Sequence, residues 1–187
     1  MVKTRLAETV GAARAFEIYE MLLRTVAVNL RALDVTVCFA PDDGEADLRG
    51  SFPERWRYRP QRGGDLGARL KHAIAESCEN GASKVAVIGS DCPYLNADDI
   101  ADAWQMLESN DVVFGPAKDG GYWLIAVKRA HRALFHEIDW GTGKVLEQSQ
   151  KRAQASRLKV GLLRTLADID TAADWAAYCS AVVPTAS

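Results

Sequence analysis

The sequence predicts an α/β fold, a mostly parallel sheet with helices on both faces. Two observations carry this. Short apolar, β-branched runs alternate with longer stretches whose apolar residues recur every three to four positions. The run over residues 84–89 is continuously apolar after Lys84, as expected of a strand covered on both faces.

The elements follow in order. Phe16, Tyr19, Leu23, Val26, Leu30 and Leu33 mark one face of a single long helix over residues 8–33. A strand over 35–40 is stopped by Pro41-Asp42-Asp43-Gly44, and a short strand follows at 56–59. Residues 65–80 form a helix with Leu66, Leu70, Ala73, Ile74 and Cys78 inward, and Gly81 supplies a left-handed cap. After the 84–89 strand, Asn96 caps a helix, with Asp99 three residues on and Leu95 as its hydrophobic staple; Ile100, Ala103, Trp104 and Leu107 face inward. Strands at 111–115 and 122–127 are joined by Pro116-Ala117-Lys118-Asp119-Gly120-Gly121. A helix over 142–156 leads to a strand at 158–163, Thr171 and Asp174 open a last helix with a capping-box arrangement, and 183–187 read as a frayed tail.

The chain has 187 residues with no repeat, low-complexity tract or linker, so one domain spans 1–187. A formal net charge of -2 excludes a field that would hold DNA or an anionic membrane, though a local basic cluster can still bind a phosphate chain. No run approaches the ~18 apolar residues that cross a bilayer. The first residues lack the apolar core of a signal peptide. A cytoplasmic location is therefore expected. Cys38, Cys78, Cys92 and Cys179 form no Cys-x-x-Cys pair and have no His cluster beside them, which argues against zinc and against a disulfide framework.

In open α/β sheets, ligands bind beyond the carboxyl ends of the strands. After the 84–89 strand comes Gly89-Ser90-Asp91-Cys92-Pro93. Asp91 is a hard oxygen ligand suited to Mg²⁺ or Mn²⁺ bridging phosphates, and the same spacing suits an Asp that caps the next turn. Asp168 and Asp170 follow the 158–163 strand. Either can complete a metal site, although turn chemistry before a helix accounts for them more simply on spacing alone. Arg59-Pro60-Gln61-Arg62-Gly63-Gly64-Asp65-Leu66-Gly67 opens a helix and reads either as an anion or nucleotide-edge site or as a plain turn. It fits neither the G-x-G-x-x-G fingerprint nor P-loop spacing. In Lys118-Asp119-Gly120-Gly121-Tyr122-Trp123, a tight loop offers two rings for stacking on a sugar or base; at least one must be core, because alternate strand residues face opposite sides. Lys3 and Arg5 are the first basic pair, and alone such a pair is commonly solvated surface.

Together, Val2-Lys3-Thr4-Arg5-Leu6-Ala7, the segments from Pro60 to Gly67 and Gly89 to Pro93, Phe114-Gly115-Pro116 through Ile125, and Asp168-Ile169-Asp170-Thr171 resemble a known family. It comprises bacterial glycosyltransferases or nucleotide-diphospho-sugar transferases of the GT-A type, with guanylyltransferases of molybdenum-cofactor and 2-phospho-lactate metabolism as more distant relatives. The resemblance spans nearly the whole chain. It implies a three-layer α/β/α fold and a metal-dependent transferase using a nucleotide-activated donor and a small-molecule acceptor. Lys3 and Arg5 would hold phosphates. Gln61, Arg62, Gly63, Gly64, Asp65 and Gly67 would border the base or ribose, with Ser90 beside them. Asp91 would bind the metal, Asp170 with Asp168 would supply its second contact, and Gly120, Gly121 and Tyr122 would line the acceptor side with Asp119 as candidate base. Glycosyl transfer is the first expectation and nucleotidyl transfer the alternative; a nucleotide-binding protein without turnover is a third.

One departure stands out. The family pattern places an apolar strand and a Pro-Gly loop ahead of the Val-Lys-Thr-Arg-Leu segment, whereas this sequence starts at Met1. A missing first strand would leave a neighbour with unpaired backbone groups. A homodimer covering that neighbour is conceivable, but no residue pattern points to one. A haloacid-dehalogenase phosphatase is rejected: Asp168-Ile169-Asp170-Thr171 fits its string, but too little chain follows to build that fold.

Overall fold

The computed structural model describes residues 3–182, so the 183–187 tail, Met1 and Val2 lie outside it. The stretch expected as one helix is two, α1 (Thr4–Val10) and α2 (Ala12–Asn29), because Gly11 sits at φ 82 and turns the chain between them. The buried face of α2 is Ala15, Ile18, Leu22, Val26 and Ala27. Phe16, expected inward, is 55% exposed. The small Ala15 and Ala27 set the stripe, and the larger neighbouring rings obscure it in the sequence pattern.

The remaining strands and α-helices are β1 (Thr36–Phe39), a single turn α3 (Glu45–Leu48), β2 (Arg57–Pro60), α4 (Leu66–Glu79), β3 (Val85–Ile88), α5 (Ala97–Met106), β4 (Val112–Pro116), β5 (Tyr122–Val127), α6 (Val145–Ala155), β6 (Val160–Leu162) and α7 (Ala172–Val182), with a 3-10 turn at Arg132–Phe135 between β5 and α6. Leu66, expected inward, is 51% exposed on the first turn of α4, whose core contact is Ile74. The strands form two sheets, β1–β2 and β3–β5–β4–β6. β1 pairs parallel with β2 and β4 parallel with β6, while β5 runs antiparallel to both its neighbours. The link from β4 to β5 is too short for a helical crossover, so it closes as a hairpin and reverses β5.

Alternating residues divide the core. Val113, Leu124 and Ala126 pack with Val26 and Leu30 at the α2 side and Ile100, Ala103 and Leu107 at the α5 side. Val112, Phe114, Ile125 and Val127 pack with Ile74 of α4 and Ala153 of α6 on the opposite face. That is a three-layer α/β/α arrangement. A smaller cluster of Leu6, Ala15, Ile18, Leu22 and Ile169 fastens α1 and α2 to the segment after β6. The β4–β5 register shifts at Gly115/Pro116, and the Trp123 indole lies against Gly115, where a Cβ would stand 2.3 Å from the ring. All four cysteines are free.

Asn96 and Asp99 form the expected capping box at α5. Asp99 is 4% exposed, accepts the Asn96 N–H at 2.9 Å, and receives Arg164 through Nε at 2.6 Å and Nη2 at 2.9 Å. Arg164 also donates to the Tyr94 carbonyl at 3.1 Å, which clamps the segment after β6 to the start of α5. An Asp99→Ala variant should lose about 2 kcal/mol, mostly from the cap and the buried hydrogen bonds, because half-exposed Arg164 is screened by solvent. Urea denaturation checks this; an unchanged midpoint would rule out the clamp as a stabilising element.

Candidate active site

The carboxyl end of β3 is closed by Gly89, Ser90 and Asp91. Lys3, at φ 54 ahead of α1, reaches across it. Its Nζ donates to Asp91 Oδ2 at 2.9 Å and to Asp170 Oδ1 at 2.8 Å, and the side chain is 5% exposed. Burial alone would lower the Lys3 pKa, but the two carboxylates outweigh it and hold the ammonium above its ordinary value. Arg5 Nη1 lies 4.0 Å from Asp170 Oδ2 and is largely exposed, so its charge stays available to a ligand.

The backbone joins the two carboxylate loops: Ile169 N–H donates to the Asp91 carbonyl at 3.0 Å. Asp174 shapes the second loop by accepting from Thr171 N at 2.8 Å, Thr171 Oγ1 at 2.7 Å and Asp170 N at 3.2 Å, which is the capping arrangement expected for α7.

Asp168 stands apart. Its Oδ1 is buried and has no hydrogen-bond partner. Burial first, then the negative charges of Asp91, Asp119 and Asp170, push its pKa up to about 7. A carboxyl that binds its proton more tightly folded than unfolded contributes stability below the unfolded value, and that contribution disappears as pH rises through about 7. Asp168→Asn should therefore be more stable than the parent at pH 8, on the order of 2 kcal/mol after allowance for partial exposure, and nearly equal at low pH. Thermal melts across pH 4–8 test this, with Mg²⁺ or Mn²⁺ expected to raise the parent's melting temperature more at the alkaline end. Cys92 behind the site is buried, and its thiol is pushed up to about 12 by burial and then by Asp168, so it stays protonated and serves no nucleophilic role.

Two connected spaces open here. A cavity of ≈ 310 Å³ is lined by Lys3, Thr4, Arg5, Tyr19, Ser90, Asp91 and Asp170. A cleft of ≈ 1520 Å³ brings Arg5, Gln61, Arg62, Ser90, Asp91, Asp119, Gly121, Tyr122, Asp168 and Asp170 to common walls. The other expected residues have local structural work. Asp65 caps α4 by accepting Ala68 N–H at 2.7 Å. Gly63, at φ 126, leaves room for Ala68, and Gly67 lies under the Trp140 indole. Gly120, at φ 88, faces the Gly143 carbonyl, while nothing crowds Gly64. Asp119 is exposed and accepts Gly121 N–H at 2.8 Å. Trp123 is 1% exposed and belongs to the core. Tyr122 packs its ring 5.2 Å from that of Phe114, and its buried hydroxyl lacks a partner.

Two contributors had no signal in the sequence. Tyr19, which reads there as a core position of a helix, places its hydroxyl 3.3 Å from Ser90 Oγ. Arg69 orients the 61–64 turn by donating to Gln61 Oε1 at 3.1 Å and to the Gly63 carbonyl at 3.2 Å.

The carboxylates at this mouth are the donor type that a hard divalent cation takes, and the orphaned Asp168 oxygen fits such a group. Among the described residues, however, no three His, Cys, Asp or Glu side chains are grouped closely enough to hold a metal as they stand. Asp91 and Asp170 are instead closed on Lys3, which would have to yield.

Residues 23–142 match a family described as an uncharacterized protein conserved in bacteria (DUF2064). The chain belongs to this family. The matched region carries Gln61 to Gly67, Ser90, Asp91 and Asp119 to Tyr122, whereas Lys3, Arg5, Asp168 and Asp170 reach the same site from outside it. No curated protein matches the sequence. Among solved structures, one described as a candidate nucleotide-diphospho-sugar transferase from Desulfovibrio desulfuricans G20 is 29% identical, with a TM-score of 0.90 over 99% of this chain and 83% of that one. A CMP:2-keto-3-deoxy-manno-octonic acid synthetase complexed with CTP shares the fold at 10% identity, TM-score 0.59, covering 84% of this chain and 85% of that one. The 4-diphosphocytidyl-2C-methyl-D-erythritol synthase of Anaerococcus prevotii DSM 20548 does so at 12% identity, TM-score 0.59, covering 84% of each chain. Among the described residues no helix is long and apolar enough to cross a membrane.

Proposed function

We propose that this protein is a metal-dependent transferase that acts on a nucleotide-activated donor, with glycosyl transfer as the first reading. The observation that carries it is the meeting of Asp91, Asp168, Asp170, Lys3 and Arg5 at the carboxyl end of β3, in a chain 29% identical to a candidate nucleotide-diphospho-sugar transferase. Asp91 and Asp170, with Asp168 beside them, would hold Mg²⁺ or Mn²⁺. When bound, the ion would neutralise diphosphate charge and stabilise the leaving group.

The chain's own residues divide the remaining work. Arg5, exposed at the cavity, supplies positive charge to a phosphate. Lys3 neutralises the carboxylate pair until a ligand arrives, rather than standing free for phosphates. Gln61 and Arg62 border the nucleoside from the opposite wall, with Gln61 held by its own bond to the Cys38 carbonyl at 3.0 Å. Gly121 and Tyr122 line the acceptor end, where exposed Asp119 is placed to take a proton.

Nucleotidyl transfer is the second reading. The fold likeness to a synthetase solved with CTP favours it. The product separates the two. With a panel of sugar nucleotides and nucleoside triphosphates, free nucleoside diphosphate is expected for glycosyl transfer and pyrophosphate for nucleotidyl transfer. Binding of a nucleotide with neither product would leave a binding protein without turnover, and no binding of any would overturn the reading.

A further inference from the structure

The segment ahead of α6 brings an aromatic ring to the mouth of the cleft. Trp140 is half-buried there and lines it together with Gly141 and Thr142. Its indole bridges two walls. On one side it lies against Gly67 in the first turn of α4, where a Cβ would stand 2.5 Å from Nε1, so the ring keeps this place only over a glycine. On the other side it meets the Tyr122 ring edge-on, with centroids 6.4 Å apart and planes at 81°. Gly143 closes on Gly120 just beyond, so this segment and the loop from Asp119 to Tyr122 form one surface.

The ring is held in place from behind. Asp139 N–H donates to Gln148 Oε1 at 2.8 Å, and Asp139 Oδ2 accepts from Gln148 Nε2 at 2.8 Å. Thr142 Oγ1 donates to the Asp139 carbonyl at 2.7 Å, and Ile138 anchors the segment in the core at 8% exposure. An aromatic ring fixed in this way at a cleft is ready to be stacked upon, because little side-chain freedom is left to lose on binding. Charge narrows what stacks there. The carboxylates of Asp119 and Asp168 feel each other across this end of the cleft. Among the described residues these two loops contribute no Lys or Arg to its lining, and the exposed Lys118 and Lys144 are not part of it. A phosphate or carboxylate placed here meets like charge, whereas a hydroxyl donates to these acceptors. A sugar ring offers hydroxyls at its rim and a C–H face whose partly positive hydrogens suit the negative face of an indole. We infer that Trp140 is the stacking platform for an uncharged, hydroxyl-bearing sugar ring at the reacting end of the cleft. The inference rests on the transferase reading and deepens it, since it names the class of group that reacts. The sugar of a donor and an uncharged sugar acceptor share this chemistry.

The probes are the methyl glycosides of glucose, galactose and mannose, with the hexose 6-phosphates as charged counterparts. They are titrated into the full chain labelled with 15N-tryptophan, and the Trp140 indole resonance is the one missing from Trp140→Phe. At least one glycoside is expected to shift that resonance and to bind about tenfold or more tightly than the matching 6-phosphate. By saturation transfer to the sugar protons, Trp140→Leu is expected to weaken that glycoside about tenfold, and Trp140→Phe, which keeps a ring, only about twofold. The Phe variant also keeps the comparison readable if the Leu variant folds poorly. No shift with any glycoside, equal or tighter binding of the 6-phosphates, or equal affinity of the parent and the Leu variant overturns the platform. These arms contain no nucleotide. A sugar nucleotide with Mn²⁺ then separates the two sources: displacement of the glycoside gives the seat to the donor's sugar, and binding beside it gives the seat to the acceptor. If no sugar nucleotide binds, the transferase reading falls while the platform stands.

Discussion

An Asp91→Ala variant is expected to lose metal-dependent nucleotide binding altogether, a fall of at least about a hundredfold, since even residues that only support a metal ligand cost 10–100-fold when removed. Asp91 lies at the centre of the site. It receives Lys3, its carbonyl receives Ile169, and it is the one carboxylate that directly follows the β3 strand. Its removal leaves Lys3 paired with Asp170 alone and deprives the mouth of a hard oxygen donor. Calorimetry with Mg²⁺ or Mn²⁺ measures the effect, and Asp91→Asn, which keeps the shape but not the charge, controls for misfolding. Unchanged affinity in both variants would end the assignment of a metal to this position.

The second large effect concerns the loop between β4 and β5. Gly120 has φ 88, and a Cβ there would stand 2.1 Å from the Gly143 carbonyl oxygen, a backbone atom that cannot rotate away. The Gly120 carbonyl also accepts Leu146 N–H at 3.0 Å, so the same residue seats the start of α6. Gly120→Ala therefore combines a strained backbone with a displaced helix, and a loss of about 3 kcal/mol is expected, lowering the melting temperature by roughly 6–12 °C. Gly121→Ala is the matched control: its φ is ordinary, and its nearest neighbour is the Asp119 side chain at 3.1 Å, which can move. Similar melting temperatures for the two variants would mean that the contact with Gly143 is not rigid.

Local features of this fold were readable without coordinates. The β5 strand runs over the residues its apolar pattern marks, and the caps at Asn96 and Thr171 form because each rests on a partner side chain three positions on. The core face of α2 was not readable, since Phe16 and Tyr19 outweigh Ala15 in a hydrophobic pattern and Gly11 divides a helix whose periodicity continues across it. The division into two sheets was equally invisible, because pairing depends on which strands meet rather than on their composition. At the site, Asp91, Asp168 and Asp170 were found by position at strand ends. Their joining through Lys3 spans 88 and 167 residues, and no local signal encodes a contact at that separation. Gly67 illustrates the opposite case: its place in a glycine-rich run suggests a ligand, while its neighbour is Trp140, far along the chain.

The bond from Ile169 N–H to the Asp91 carbonyl has a mechanical consequence. Together with the Arg164 clamp on Asp99, it makes the two acidic loops one braced jaw that cannot open piecewise. The opposite jaw is the 61–64 turn beyond the small β1–β2 sheet, held by the Gln61 N–H bond to the Phe39 carbonyl at 2.7 Å and by the side chains of Gln61 and Arg69. On the function proposed above, a ligand between them would rest against the braced acidic side, and tightening around it would fall to the lighter jaw.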